Sequence, residues 1–500
     1  MPPLRAFVIG ILVTTTAFAQ GRAGRGRPRR NGNDLLLPFD TSRDGSIATA
    51  ELAAALRHLD ANKNGTVERA EVVGPAADAF EELDRNDDGS LDRSELRRAA
   101  QRMPRLPQPT AKLPDPEGPL PPLAVPRVNP LTPEKTVLGK MLFWEQQISS
   151  SKTVACGTCH SPRRGGADAR LGRHAGADGT LGTSDDIFGS PGIAPLDRRN
   201  RPVNTESPDA LQVTPRASPA LFGSLHAPRL FWDGRARGEF RDPVSGTVII
   251  RSGGALESQA LAPILNRVEM SRAGRTWHDV ASALSVAVPM VKNDRLSRDV
   301  LDALATAPTY PKLFSRAFGD PRITPKRIAF AIASYERTLV PDQTPYDRYI
   351  AGDLTALTAS QVRGWRVFRQ SACSVCHPPP FFTDHTFRNI GVRPAREDIG
   401  HAEVTRRRDD RGRFKVPSLR NVGLRQRFMH NGGFASLEEV MGHYAGRGSS
   451  FGKDVDPLVA RRIRLRGDRR ALIDFLANAL TDPRAARETA PFDHPSLSDP

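Results

Sequence analysis

All four cysteines of this 500-residue chain fall in two Cys-x-x-Cys-His runs, Cys156-Gly157-Thr158-Cys159-His160 and Cys373-Ser374-Val375-Cys376-His377. No thiol is left over. At this spacing two thiols can add across the vinyl groups of a haem while the adjoining imidazole holds the iron. Other chemistries use similar residues. A zinc centre needs four ligands, which two distant runs could pool. A redox dithiol normally sits in a βαβ setting, absent here, and structural disulfides give the histidine after each pair no purpose. Two covalently bound haem c groups are therefore expected, with His160 and His377 as iron ligands.

A second set of residues suits a hard cation. The segments Asp40–Glu51, Asp60–Glu71 and Asp84–Glu95 each carry oxygen-bearing side chains at loop positions 1, 3 and 5, Gly at 6, an aliphatic at 8 and Glu at 12. Calcium takes roughly six to eight oxygens; alternate short side chains supply three, Gly permits the sharp turn, and the last Glu can use both oxygens. The expected ligands are Asp40, Ser42, Asp44 and Glu51, then Asp60, Asn62, Asn64 and Glu71, then Asp84, Asn86, Asp88 and Glu95. The third loop is the most acidic, with Asp92 at position 9. Three is an odd number for a motif that pairs, and the first loop could be a degenerate partner. The alternative is a calcium-free helical spacer.

The elements that must position these groups can be read from the pattern. Residues 132–146, 323–339, 358–370 and 468–480 show apolar spacing of three and four, which predicts helices. Thr132, Thr324 and Thr358 stand where a capping hydroxyl belongs. Long Gly/Pro-rich loops separate them, and Met103–Pro133 is proline-rich enough to be a linker. The expected fold is mainly α: two cytochrome c-like haem domains with long irregular loops, preceded by a helical EF-hand module. The divisions expected are a signal peptide over 1–19, a Gly/Arg-rich disordered segment over 20–33, the EF-hand region over 34–100, the linker over 101–130, and haem domains over 131–345 and 346–500.

Arg5, the apolar run Ala6–Val13 and Ala17-Phe18-Ala19 read as a cleaved export signal, so the expected location is the periplasm. The run is shorter than the roughly 20 residues a spanning helix needs, and no membrane span is expected. The net charge of +16 invites a nucleic-acid reading, but Arg22, Arg25, Arg27, Arg29 and Arg30 lie in one Gly/Arg stretch. With an export signal in front, that stretch is read as a solvated tether and nucleic acid is not expected as a partner.

From about Leu138 to Tyr444 the chain resembles the bacterial dihaem cytochrome c peroxidases and their MauG-like relatives. The resemblance rests on Leu138–Phe143, Phe231–Ala236, Gln259–Met270, Phe414–Asn421, Met429–Gly433 and Leu437–Val440, besides the two cysteine runs. It implies that His160 serves the peroxide-reacting haem and His377 an electron-transferring one. It implies that Gln259, Pro263 and Glu269 flank the first haem, where a carboxylate can shuttle a proton and an amide can orient bound oxygens. It places Trp232 between the haems as an electron relay, with a packed indole as the alternative, and His430 between the haem domains. Tyr444 stands at the second haem's distal position, where the peroxidases carry methionine and MauG tyrosine; Met441 and His443 are competing ligands. His174 is a loop histidine that could reach the first haem's open face.

Two departures matter. Ala217 stands where the family often has an Asn that helps hold an interhaem calcium. An extra segment, roughly 238–254, is expected as a loop near the active-site entrance. The function implied is reduction of hydrogen peroxide with electrons from a small donor protein, a cytochrome c or a cupredoxin. A MauG-like oxidase acting on side chains of a partner protein is the enzymatic rival. A calcium-responsive electron carrier is the non-enzymatic one.

Overall fold

The computed structural model describes residues 36, 47–72, 80, 83–100, 118–203, 211–447, 455–460 and 468–498. The segments expected to be a signal peptide and a tether, and Asp40, Ser42 and Asp44 of the first loop, lie outside these residues. The described chain is mainly helical, and its strands form only two-stranded pairs.

The predicted helices form at Pro133–Trp144, Pro325–Glu336 and Ala359–Gln370. Each begins where its threonine hydroxyl accepts a backbone N–H of the first turn, satisfying a donor that has no intrahelical partner. The fourth pattern gives Arg469–Asp474, which widens into a π-helical turn over Phe475–Ala479.

Two of these helices pair in each half of the molecule. Leu138, Leu142 and Phe143 interlock with Ile328, Ile332 and Tyr335 in one core. Trp365 and Phe368 pack with Phe382, Phe475 and Leu476 in another. Both crossings use a glycine for close approach. A Cβ at Gly139 would lie 1.9 Å from the Ala331 carbonyl oxygen, and one at Gly364 would lie 2.0 Å from that of Ala471. The backbones touch there because neither residue has a side chain.

The last described residues return to the first core. His494 stacks on Trp144 with ring centroids 3.9 Å apart, Asp493 pairs with Lys140 at 2.8 Å, and Phe492 meets Phe222 at 5.1 Å. The inserted segment is a hairpin in which Phe240–Arg241 pairs with Val248–Ile250, and Phe240 and Ile250 are buried in the first core. It is not the entrance loop expected: none of its residues lines the cavity described below, because its apolar side chains anchor it elsewhere.

The loops Asp60–Glu71 and Asp84–Glu95 are joined by a short antiparallel bridge, Val67 to Leu91 and Glu68 to Ser90. The second and third loops therefore form the pair.

Candidate haem and peroxide site

The Cys156–Cys159 helix presents its two thiols with His160 at its C-terminal end. The His160 ring is fixed by its Nδ1, which donates to the Gly166 carbonyl at 2.8 Å. The second run repeats the device. His377 follows the Cys373–Cys376 helix, and its Nδ1 donates to the Phe382 carbonyl at 3.0 Å. In both rings the tautomer leaves Nε2 with a free lone pair, the arrangement an iron-binding imidazole requires. Burial lowers the pKa of both, which keeps them neutral and able to ligate.

A cavity of about 630 Å³ opens beside the first run. Its walls include Cys159, His160, Trp232, Gln259, Pro263 and Glu269. The fit to haem is a matter of donors and space: a thiol and a tautomerically prepared imidazole face a large chamber beside them. Burial pushes the Cys156 thiol up to about 12, so it is held as a neutral thiol.

Gln259 comes from the Ala255–Leu261 helix, Pro263 opens the short 3-10 turn after it, and Glu269 follows on a loop turned by Asn266. The Asn266 amide oxygen accepts the Glu269 N–H at 3.2 Å and the Val268 N–H at 2.9 Å. Burial raises the Glu269 pKa above the ordinary carboxylate value, with Arg235 opposing the shift. A raised carboxyl pKa suits a group that must both accept and release a proton near neutral pH.

Trp232 is buried and its indole N–H donates to the Ala217 carbonyl at 2.8 Å. The Ala217 N–H in turn donates to the His430 carbonyl at 2.7 Å, and the His430 ring stacks on Phe414 at 3.6 Å. Burial lowers His430 to about 4, so it is a neutral aromatic element here. At position 217 the side chain offers a methyl group and the backbone is already committed to Trp232 and His430.

His174 also lines the cavity, from the strand pair Gly172–His174 and Ile187–Gly189. Its Nδ1 accepts the Gly176 N–H at 3.1 Å, which puts the ring proton on Nε2. That tautomer is the reverse of the one at His160 and His377, and makes Nε2 a hydrogen-bond donor.

In the second unit Tyr444 lies deep in the protein yet keeps part of its surface free. Its hydroxyl pKa is raised, first by burial and then by the neighbouring Cys376 and Cys373, and it packs against the same apolar cluster as Cys373. Met441 is buried in the adjacent core, and the His443 Nε2 donates to the Ile390 carbonyl at 2.8 Å. Close by, Arg388 pairs with Asp384 at 3.0 Å and with Asp456 at 2.8 Å.

The motifs did not single out several residues around the first chamber. Arg216 bridges Asp233 and Asp398, both at 2.6 Å. Arg235 lies 3.7 Å over the Phe231 ring and pairs with Asp233. Lys415 is buried and pushed down to about 8. Arg235 and Lys415 sit in the blocks Phe231–Ala236 and Phe414–Asn421, so their sequence signal was adjacency to recognised residues.

In the EF-hand region Asp60 accepts the N–H groups of Asn64 and Gly65, and Asp84 those of Asp88 and Gly89. The position-12 carboxylates reach back across each loop, Glu71 to the Asn62 N–H and Glu95 to the Arg85 N–H, both at 2.9 Å. Glu51 of the first loop accepts the Ala48 N–H. Among the described residues no three His, Cys, Asp or Glu side chains converge as a metal cage; each of the two paired loops mixes carboxylates with Asn amide oxygens.

The sequence profile of the family described as di-haem cytochrome c peroxidase matches residues 133–355, and an EF-hand profile matches residues 76–100. The methylamine utilization protein MauG of Methylophilus methylotrophus is 33% identical over 330 residues, 64% of this chain and 75% of that protein. MauG of Methylorubrum extorquens is 32% identical over 373 residues, 72% of this chain and 82% of that protein. The cytochrome c peroxidase of Escherichia coli is 28% identical over 346 residues, 67% of this chain and 59% of that protein. Among solved structures, a MauG-like protein associated with microbial copper homeostasis superposes with a TM-score of 0.52 at 24% identity, covering 76% of this chain and 97% of that one. That likeness concerns the fold.

Proposed function

Because this chain belongs to the di-haem cytochrome c peroxidase and MauG family of oxidoreductases, we propose that it reduces hydrogen peroxide to water, drawing electrons from a small redox protein such as a cytochrome c or a cupredoxin. One observation carries this reading: Gln259, Pro263 and Glu269 share a single chamber with His160.

Cys156, Cys159 and His160 would hold one haem, and Cys373, Cys376 and His377 the other. The first would supply an iron that takes up peroxide, the second a further redox centre. The residues of the chain move the protons. The Glu269 carboxylate accepts one from the oxygen of peroxide nearer the metal and returns it to the departing oxygen, which leaves as water. Gln259 orients the pair of oxygens by its amide, and Pro263 keeps a rigid, donor-free wall beside them. The balance is one peroxide, two electrons and two protons to two waters. Trp232, buried and hydrogen-bonded, is the relay between the haems.

Steady-state consumption of peroxide with reduced cytochrome c tests the proposal. Turnover that depends on the donor is expected, and its absence would remove the peroxidase reading. The second reading, MauG-like oxidation of side chains in a partner protein, is favoured by Tyr444, which packs against the same apolar cluster as Cys373 of the second run. Peroxide-treated protein that keeps its oxidising equivalents in the presence of reduced cytochrome c would support it.

The paired loops Asp60–Glu71 and Asp84–Glu95 are assigned calcium on their donor pattern and their bridge. Export to the periplasm is assigned on the pattern of residues 1–19. Among the described residues no helix is long and apolar enough to cross a membrane.

A further inference from the structure

The core of the EF-hand region is not closed by that region alone. Leu52, Leu59, Val67, Val72, Leu91 and Leu96 form one apolar cluster with Val375 and Leu458, and Cys376 packs against it. Val375 is one of the two residues between the cysteines of the second haem run. The module thus buries part of the segment that would carry the second haem.

Polar contacts follow the same line. Gln370, which ends the Ala359–Gln370 helix just before that run, donates its side-chain N–H to the Glu71 backbone carbonyl at 3.3 Å. Glu71 is the last ligand position of its loop, and buried Val72 follows it in the shared cluster. Packing and a hydrogen bond therefore both join the module to the helix and the run that would carry the second haem.

We propose that calcium in the paired loops regulates the second haem: loading fixes Glu71 and Glu95, tightens the module on Ser371–Cys376, and raises that haem's reduction potential. This rests on the calcium assignment of the preceding section. The Glu71 carboxylate is drawn to the ion, and its backbone is the point that Gln370 and Val72 share. A fixed cation near a redox centre favours the form with the added electron, which sets the direction of the shift. Loading would thereby make the second haem a better acceptor from an external donor.

The test uses the full-length protein with both haems attached, stripped with a chelator and titrated with calcium. Heat of binding, the midpoint potential of each haem and amide exchange over Ser371–Cys376 are recorded together. Calcium should bind, the second haem's midpoint should rise with the first unchanged, and exchange over Ser371–Cys376 should slow. Glu71→Gln combined with Glu95→Gln should abolish the shift. Gln370→Met should keep calcium binding and reduce the shift. Binding with no change at the second haem would overturn the coupling while leaving the calcium assignment intact. Absence of binding would overturn both, and a shift surviving the double loop variant would place its cause elsewhere and end the proposal.

Discussion

The Trp232 indole N–H and the Ala217 carbonyl lie 2.8 Å apart, and the same alanine donates its own N–H to the His430 carbonyl. Position 217 therefore fixes, through its backbone, both aromatic residues expected between the haem units. Trp232→Phe should leave haem attachment intact, slow electron transfer between the haems in rapid-mixing experiments, and cost about 1–3 kcal/mol of stability, because the Ala217 carbonyl loses its buried donor. Unchanged transfer kinetics would reduce Trp232 to a packing role.

Glu269→Gln should retain both haems and lower peroxide turnover by about 10²–10⁴-fold, the usual contribution of positioned acid–base assistance. The pH profile carries a second check. Turnover needs the ionised carboxylate as the first proton acceptor, so it falls as pH drops through the Glu269 pKa. Burial raises that pKa, so the acid limb should lie above the ordinary carboxylate range. The limb should vanish from the residual activity of the Gln variant.

Tyr444→Phe should change the second haem's absorption spectrum and raise its midpoint potential, because an anionic oxygen donor stabilises ferric iron and its loss removes that preference. Met441→Leu, in the adjacent apolar core, should change neither appreciably. The reverse pattern in redox titration would return the chain to the methionine-type peroxidases and remove the support for MauG-like chemistry.

Gly364→Ala should destabilise the second haem unit by about 1–3 kcal/mol, the range for forcing extra volume into a packed crossing, since the new methyl would meet the Ala471 carbonyl. Thermal unfolding should show the loss. Gly139→Ala should act alike in the first unit, where the Ala331 carbonyl is the obstacle. Wild-type melting in both would show that the helices separate without cost.

Local chemistry was legible in the sequence because it is written in contiguous residues. The two Cys-x-x-Cys-His runs announced their own candidate ligands, and each His is oriented by a carbonyl only five or six residues on. The hydroxyl caps and periodic apolar positions likewise fixed the starts of three long helices. Gly139 with Phe143 and Gly364 with Phe368 share a four-residue spacing, a repeat of the helix-crossing device that a comparison of the two halves could have found. Tertiary structure alone decided what is distant along the chain. It gave His174 the tautomer of a donor, through Gly176. It sent Phe240 and Ile250 into the first core rather than to an entrance. It returned Phe492 and His494 to the first haem unit and laid the EF-hand core on Val375. Periodicity tells which side of an element is apolar, but that side is satisfied by any apolar surface, and only the packed fold selects which one covers it.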